Sequence, residues 1–209
     1  GTSLIDGSGN IGGQTIGGVA LQTRSAIKAY TAVVNTITVV DGSLILTKPT
    51  LTLSAPPGSG TPATAAVDTM AAAYMRYLTG GTGYAVNDTV TLVGGTSTVA
   101  AIFTVAEVLA GVPKRLTIAT PGSYTVLPAG PISTTTSGAG TGLTMEVWWT
   151  ILTVTVTAAG TNYPQFVPPI VTATVTSVGN DYSPLREPKF LVAMTATQVQ
   201  VQINDGKIN

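Results

Sequence analysis

Residues 76–92, RYLTGGTGYAVNDTVTL, decide the fold of this chain. They follow the order strand, glycine turn, tyrosine, Asp-containing bend and second strand. Three further stretches share this order: NTITVVDGSLILTKPTLTL (35–53), LTIATPGSYTVLPAGPIST (116–134) and TVTAAGTNYPQFVPPIVT (155–172). The residue after each glycine turn, here called the anchor, is Leu44, Tyr84, Tyr124 or Tyr163. A spacing of about 40 residues between anchors predicts a repeat architecture in which one supersecondary unit is reused.

The strands are marked by alternation of threonine with aliphatic residues, as in TLTL (50–53), TVTL (89–92), TVTVT (153–157) and TATVT (172–176). Successive side chains of a strand point to opposite faces, so each segment has one aliphatic face and one polar, uncharged face. Turn signals lie between them at Asp41-Gly42, Gly80-Gly81, Gly94-Gly95 and Pro121-Gly122. The sequence therefore predicts an all-β fold with little helix. We expect repeated antiparallel hairpins of about 40 residues, packed as a sandwich or a solenoid-like stack.

The repeat pattern also sets the expected domain organisation and the interpretation of three ambiguous segments. Residues 1–34 are predicted to be an N-terminal arm and lead-in segment, and residues 35–209 a β domain built from the repeats. Residues 63–78 are rich in Ala and Met, which favour helix. Alignment of the repeats instead places Ala71 opposite Gly111 and Thr150, which predicts a hairpin turn at Ala71, and we adopt that alignment. Residues 147–159 are likewise interpreted as a strand pair, and residues 25–30 as a short helix.

Charge is scarce and balanced. Charged residues make up 9% of the chain, against about 25% in typical globular domains, and nine Lys or Arg offset nine Asp or Glu. This balance provides no basic face for nucleic acid. No apolar run reaches the length of about 20 residues that a membrane-spanning helix needs. Because charge repulsion normally keeps soluble proteins apart, we expect much of the surface to be covered by neighbouring subunits.

The residues needed for common catalytic and metal sites are missing. The chain has no His and no Cys, which excludes most nucleophile–base pairs and thiolate metal sites. Asp68, Asp88, Glu107 and Glu146 occupy unrelated positions in their repeats, so a catalytic carboxylate pair is not expected. The glycine-rich loops at 56–60, 94–97 and 138–142 are followed by strands, whereas phosphate loops precede helices. We therefore predict a protein that is not an enzyme and carries no cofactor or metal.

The aromatic residues have different predicted roles. Tyr84, Tyr124 and Tyr163 are expected to pack over the turns and to hydrogen-bond the backbone, with Gly83, Gly122 and Gly160 supplying the turn geometry. Trp148 and Trp149 are adjacent, so on a strand one should point inward and the other outward. An outward Trp is suited to stack on a sugar or to anchor a protein interface. Coverage by a loop of the same chain is the alternative.

The stretches GGTGYAVNDTVTLVGGT (80–96) and GAGTGLT (138–144) resemble Gly-Tyr β repeats found in structural proteins of tailed-phage virions. In such repeats a strand ends in a Gly-Gly-x-Gly-Tyr turn, followed by Pro or Asp, a strand, a Gly-rich loop and an Ala-rich strand. The likeness extends over roughly residues 35–176. The chain departs from it at Leu44 in place of tyrosine, at Pro121-Gly122 in place of Gly-Gly, and in the proline-rich turn at 163–169.

This resemblance implies a virion protein made in many copies, in contact with copies of itself and with other virion proteins such as the major capsid protein. We rank a capsid decoration or cement protein first, because the chain is short and lacks coiled-coil heptads and a long charged helix. The alternatives are a tail, collar or fibre component that binds a carbohydrate receptor, and a subunit of an extracellular filament. The interface residues expected in a virion protein are Leu4, Ile5, Ile11 and Ile16 of the arm, together with Trp148 or Trp149.

Overall fold

The computed structural model describes residues 15–16, 19–20, 31–164, 167–174 and 188–197. No helix occurs among these residues, which confirms the all-β fold class. The strands are β1 (Thr15–Ile16), β2 (Val19–Ala20), β3 (Thr31–Asp41), β4 (Thr50–Leu53), β5 (Thr64–Thr82), β6 (Thr89–Leu92), β7 (Thr96–Val99), β8 (Ile102–Leu109), β9 (Val112–Thr120), β10 (Ser123–Val126), β11 (Ile132–Thr136), β12 (Thr141–Ala158), β13 (Tyr163–Pro164), β14 (Val171–Thr174) and β15 (Lys189–Thr197).

The N-terminal predictions are only partly covered by this description. Leu4, Ile5, Ile11 and the short helix predicted at 25–30 lie outside the described residues, while Ile16 belongs to β1. Strand β3 begins at Thr31, so the predicted boundary between residues 34 and 35 falls inside a strand. Residues 31–34 therefore belong to the same strand as the first residues of the predicted β domain.

Two long strands form the spine of the molecule. β5 and β12 pair antiparallel along nearly their whole lengths, from Thr64 opposite Ala158 to Thr82 opposite Thr141. Along β12, buried and partly exposed residues alternate from Leu143 to Ile151, as expected for a strand with one face on a core. The ladder contains several register shifts, each of which marks a local β-bulge or irregularity.

The hairpin turn predicted at Ala71 is wrong, and so is the strand pair predicted at 147–159. Ala71 lies opposite Thr150 in the middle of the β5–β12 ladder, and both strands continue straight through these positions. A turn does occur at the aligned position Gly111, between β8 and β9, where Ala110 and Gly111 both have positive φ. Only the site with glycine makes the turn, because glycine adopts positive φ without steric cost. The helix considered for 63–78 is also absent, since tertiary context, here burial in the sheet, overrides the helix propensity of alanine.

The main sheet has eight strands in the order β7-β10-β5-β12-β11-β6-β8-β9. The sheet curls back on itself: the residues that flank the two ends of β9 are hydrogen-bonded to β5 and to the segment just after it. There the Ala72 N–H donates to the Pro121 carbonyl at 2.8 Å, and the Tyr84 N–H donates to the Gly111 carbonyl at 3.0 Å. All described pairings are antiparallel, and most join strands that are distant in sequence, such as β3 with β15 and β4 with β14.

The Asp41-Gly42 turn signal does not make a hairpin. β3 pairs with β13 and β15 instead of with β4, and the chain after Asp41 crosses over to β12. The Ile151 N–H donates to the Gly42 carbonyl at 3.1 Å, and a Cβ at Gly42 would collide with the Ile151 backbone. Gly42 is therefore required for a close backbone crossing, which a local turn rule does not anticipate.

Two connected regions of core are buried. The larger core lies inside the curled sheet and includes Met70, Phe103, Tyr124, Met145 and Trp149. The smaller core lies between the β3–β15 pair and the far half of the spine, with β4 and β14 alongside. Its members are Val34, Ile37, Ala63 and Tyr163, with partly buried residues such as Val154, Val171 and Val192 packed against them. The β5–β12 spine thus contributes to both cores, as in a layered β fold.

Candidate functional site

Tyr124, the anchor of the third repeat, is held in place by a turn glycine, a loop and the core. Tyr124 is buried, and its hydroxyl accepts a hydrogen bond from the Ala101 N–H at 2.9 Å. Gly122, with φ of 77°, passes so close that a Cβ would lie 2.8 Å from both the Ala101 nitrogen and the Tyr124 ring. The ring also packs edge-to-face on Trp149, with centroids 4.8 Å apart. The turn, the tyrosine and the Ala101 loop are therefore fixed together.

The junction around Tyr163 has the same construction. The buried Tyr163 hydroxyl accepts from the Ala63 N–H at 2.8 Å and donates to the Ser54 carbonyl at 3.1 Å. A Cβ at Gly160 would lie 2.6 Å from the Ala63 nitrogen and 2.8 Å from the tyrosine ring. This tyrosine thus holds two separate backbone segments of the first repeat region with a single hydroxyl group.

Tyr84 is buried as well, but it is held by ring packing. A Cβ at Gly140 would lie 2.4–2.6 Å from three atoms of the Tyr84 ring, and a Cβ at Gly81 would lie 2.9 Å from the ring. Gly83 has a positive φ of 78°, yet Gly81 and Gly140 are the glycines that contact the ring most closely. The Tyr84 ring is therefore packed against Gly81 and Gly140, and not against Gly83, the residue next to it in sequence.

The anchor position in the first repeat differs from the others. The Leu44 side chain is 40% exposed, whereas its neighbours Ser43 and Ile45 are buried. Ile45 forms a bridge with Trp149, with backbone N–H to carbonyl distances of 2.9 and 2.7 Å. Leu44 is thus not a buried anchor. The positive φ of Ser43, 62°, shifts the inward position by one residue.

The tyrosines dock across repeats. Tyr84 of the second repeat packs on the glycine-rich loop 138–142, which follows the third repeat. Tyr124 of the third repeat binds the segment that follows the loop 94–97 of the second. Tyr163 of the fourth repeat docks where the loop 56–60 of the first repeat leads into β5. Each tyrosine therefore docks on a glycine-rich loop associated with another repeat, or on the segment that follows such a loop.

The two tryptophans take opposite sides of β12. Trp149 is 1% exposed and lies in the larger core, so it is excluded as an interface residue. Trp148 is partly buried on the outer face, opposite Tyr74 of β5. The alternation predicted from the sequence is therefore present, and only Trp148 remains available for contact with another molecule.

Tyr74, Arg76, Glu146 and Trp148 together form what we call the outer-face cluster. Tyr74 and Trp148 pack edge-to-face, with ring centroids 5.4 Å apart and planes at 62°. Arg76 Nε lies 2.8 Å from Glu146 Oε2, and the Arg76 Cζ lies 5.7 Å from the centre of the Trp148 ring. An aromatic pair and an ion pair thus occupy successive outward positions of the same ladder. Nothing in the sequence pattern marks Tyr74 or Arg76, since their proximity to Trp148 depends on the register between β5 and β12.

The four acidic residues weighed as catalytic groups each have a different partner. The pairs are Asp68 with the Thr155 hydroxyl, Asp88 with the Ala85 N–H, Glu107 opposite Arg115, and Glu146 with Arg76. In the described part of the chain, no three acidic side chains lie together in a manner that could hold a metal ion. Among those same residues there is also no helix long and apolar enough to cross a membrane.

Known proteins give no match to this chain: no family model, no curated protein and no solved structure is significantly similar to it. Function must therefore be inferred from surface chemistry, from the outer-face cluster and from the Gly-Tyr resemblance stated above.

Proposed function

We propose that the chain is a non-enzymatic structural protein of a tailed-phage virion, and specifically a capsid decoration or cement protein present in many copies. The supporting observation is the nature of its surface. Fourteen large apolar side chains are exposed among the described residues, whereas the same residues include only ten Asp, Glu, Lys or Arg. A surface with more exposed large apolar groups than charges is suited to be covered by neighbours.

The outer face of the β3–β15 pair is the contact surface we favour for this role. Val40 and Leu191 are 65% and 64% exposed there, and the residues paired beside them, such as Thr36, Thr38 and Ala193, are uncharged. Association through such a face depends on burial of apolar area and on shape, and only weakly on charge. Attachment to the particle should therefore persist at high salt concentration.

The internal construction fits a lattice component. The tyrosine junctions tie the loops to the spine through buried hydrogen bonds, so the body presents its surface in a fixed shape. A rigid partner loses little conformational entropy on binding, and this favours repeated attachment at equivalent positions of a shell.

The direct test is the copy number of this chain in purified particles. We expect quantitative mass spectrometry of gradient-purified virions to find the chain near stoichiometric with the major capsid protein, and to find it still bound after a wash in 1 M salt, where the screening length is about 3 Å. Absence from the particle, or only a few copies per particle, would refute the decoration assignment.

A rebinding assay tests the contact surface. Particles from a phage deleted for this chain are mixed with purified protein, either wild type, Leu191→Asp or Leu109→Asp. Leu109 is equally exposed but lies at the tip of the β8–β9 hairpin, so it serves as a matched control. We expect Leu191→Asp alone to reduce occupancy. Equal occupancy for all three proteins would exclude the β3–β15 face.

A further inference from the structure

The outer-face cluster has polar groups without partners in the protein. Among the described residues, no hydrogen-bond partner is found for the Tyr74 hydroxyl, the Trp148 indole N–H or the terminal NH2 groups of Arg76. Glu146 Oε2 is shielded from solvent and contacts Arg76 Nε, but the two groups are not aligned as a hydrogen bond. The cluster therefore combines two aromatic rings with several donors that have no partner in the described part of the protein and that water or a ligand can satisfy.

Irregularities of the spine shape this part of the ladder. Ala73 is skipped in the pairing between Trp148 and Trp149, and Leu78 is skipped between Thr144 and Met145. The two irregularities bracket the segment that contains Tyr74 and Arg76. β-Bulges re-aim side chains and are over-represented next to binding sites. The adjacent Trp149 is fixed in the core, so the backbone that carries Trp148 is held in place.

We propose that the outer-face cluster is a binding site for a neutral saccharide. The aromatic faces, which carry negative electrostatic potential, attract the weakly positive C–H face of a sugar ring. Paired outward positions on neighbouring strands repeat about every 7 Å along the sheet, so Arg76 and Glu146 lie within reach of the hydroxyls of a ring stacked on Tyr74 or Trp148. Charged side chains form the strongest hydrogen bonds to such hydroxyls.

The charges of the site argue for a neutral sugar. Arg76 is neutralised by Glu146, so the cluster has no net positive charge to attract a sialylated or sulfated glycan. The site is open to solvent, with Tyr74 57% exposed and Arg76 46% exposed, so a sugar ring can reach it. Trp, Tyr and Arg are also enriched among the hot spots of protein interfaces, and the test below separates these two occupants. This proposal does not depend on the virion assignment, since it concerns the isolated chain.

The test uses purified full-length protein on an array of neutral and anionic glycans, followed by calorimetric titration of the best neutral ligand. We expect neutral glycans to bind, and Trp148→Ala and Tyr74→Ala each to weaken binding about tenfold or more, which corresponds to the loss of one aromatic contact. Arg76→Gln should also weaken it. Leu109→Ala removes an equally exposed apolar group elsewhere and should leave binding unchanged.

Fluorescence provides the folding control. Trp148→Ala leaves Trp149 as the remaining tryptophan, and an unchanged buried-type emission shows that the core is intact. The proposal is overturned if no neutral glycan binds, if anionic glycans alone bind, or if both aromatic variants bind like wild type. Loss of particle occupancy in these variants without any glycan binding would identify the cluster as a protein contact instead. The copy number of the wild-type chain in particles is measured separately from glycan binding, so the two proposals fail independently.

Discussion

Substitution of Gly122 by alanine tests whether the tyrosine junctions hold the fold together. Gly122 and Gly58 have nearly the same φ, 77° and 76°. A Cβ on Gly58 would meet nothing within 4 Å, whereas a Cβ on Gly122 would lie 2.8 Å from the Ala101 nitrogen and from the Tyr124 ring. A comparison of Gly58→Ala with Gly122→Ala therefore separates the cost of backbone strain from the cost of steric overlap.

The expected free-energy losses follow from these contacts. Alanine in the left-handed region costs about 1–2 kcal/mol, and this is the whole expected effect of Gly58→Ala. In Gly122→Ala the new methyl group must also push Tyr124 or Ala101 aside. That movement breaks the 2.9 Å hydrogen bond between Ala101 and Tyr124 and leaves a buried N–H unpaired. The unpaired N–H costs about 1–3 kcal/mol more. We expect Gly122→Ala to lose about 2–5 kcal/mol in total.

Urea unfolding followed by tryptophan fluorescence measures both losses, provided that the slope of the transition stays the same as in wild type. A double-mutant cycle with Tyr124→Phe adds a check. If the junction acts as a unit, the two substitutions should be less than additive by about 1 kcal/mol. Equal destabilisation by Gly58→Ala and Gly122→Ala would refute the idea that the junction contributes more than a strained turn.

Three further predictions concern other parts of the structure. Tyr163→Phe should lower the free energy of unfolding by about 1–3 kcal/mol, because its hydroxyl satisfies two backbone groups, while Tyr84→Phe, whose ring is held by packing, should lose less in the same urea assay. Trp149→Ala should lose about 3–5 kcal/mol through cavity formation, measured by circular dichroism during thermal unfolding. Burial raises the pKa of Tyr77 above its usual 10.0, so its contribution is intact below pH 10 and is lost as the pH rises through the folded-state pKa; Tyr77→Phe should show a shallower alkaline decline in melting temperature.

Short sequence patterns predicted those strands whose limits are marked by their own residues. The alternation TLTL and TVTL gave β4 and β6 with their observed bounds, and the Gly-Tyr spacing located the buried tyrosines. The turn assigned to Ala71 was wrong, because alignment of repeats assumes that aligned positions share a conformation. Ala71 lies instead in a ladder with Thr150, a partner that no local rule identifies.

The candidate site was predictable only in part, for the same reason. Adjacent tryptophans on a strand must face opposite sides, so an outward Trp was expected from the sequence. Which tryptophan is outward depends on the position of the core, and its neighbours Tyr74 and Arg76 depend on the register of two strands far apart in sequence. At Leu44 the prediction failed for a local reason. Ser43, the residue before it, has a positive φ, and the buried position is Ile45 instead of Leu44.

The β5–β12 spine has a consequence for synthesis of the chain. Its pairs join residues separated by 59 positions, from Thr82 to Thr141, up to 94 positions, from Thr64 to Ala158. Ribosomes add about 5–20 residues per second, so β5 waits for several seconds before its partner has emerged. During that time its apolar face and both edges are open to other nascent chains. Folds with such distant pairings also form slowly, on the scale of milliseconds to seconds. Yield in the cell should therefore depend on translation rate and on chaperones more strongly than on the stability of the finished protein.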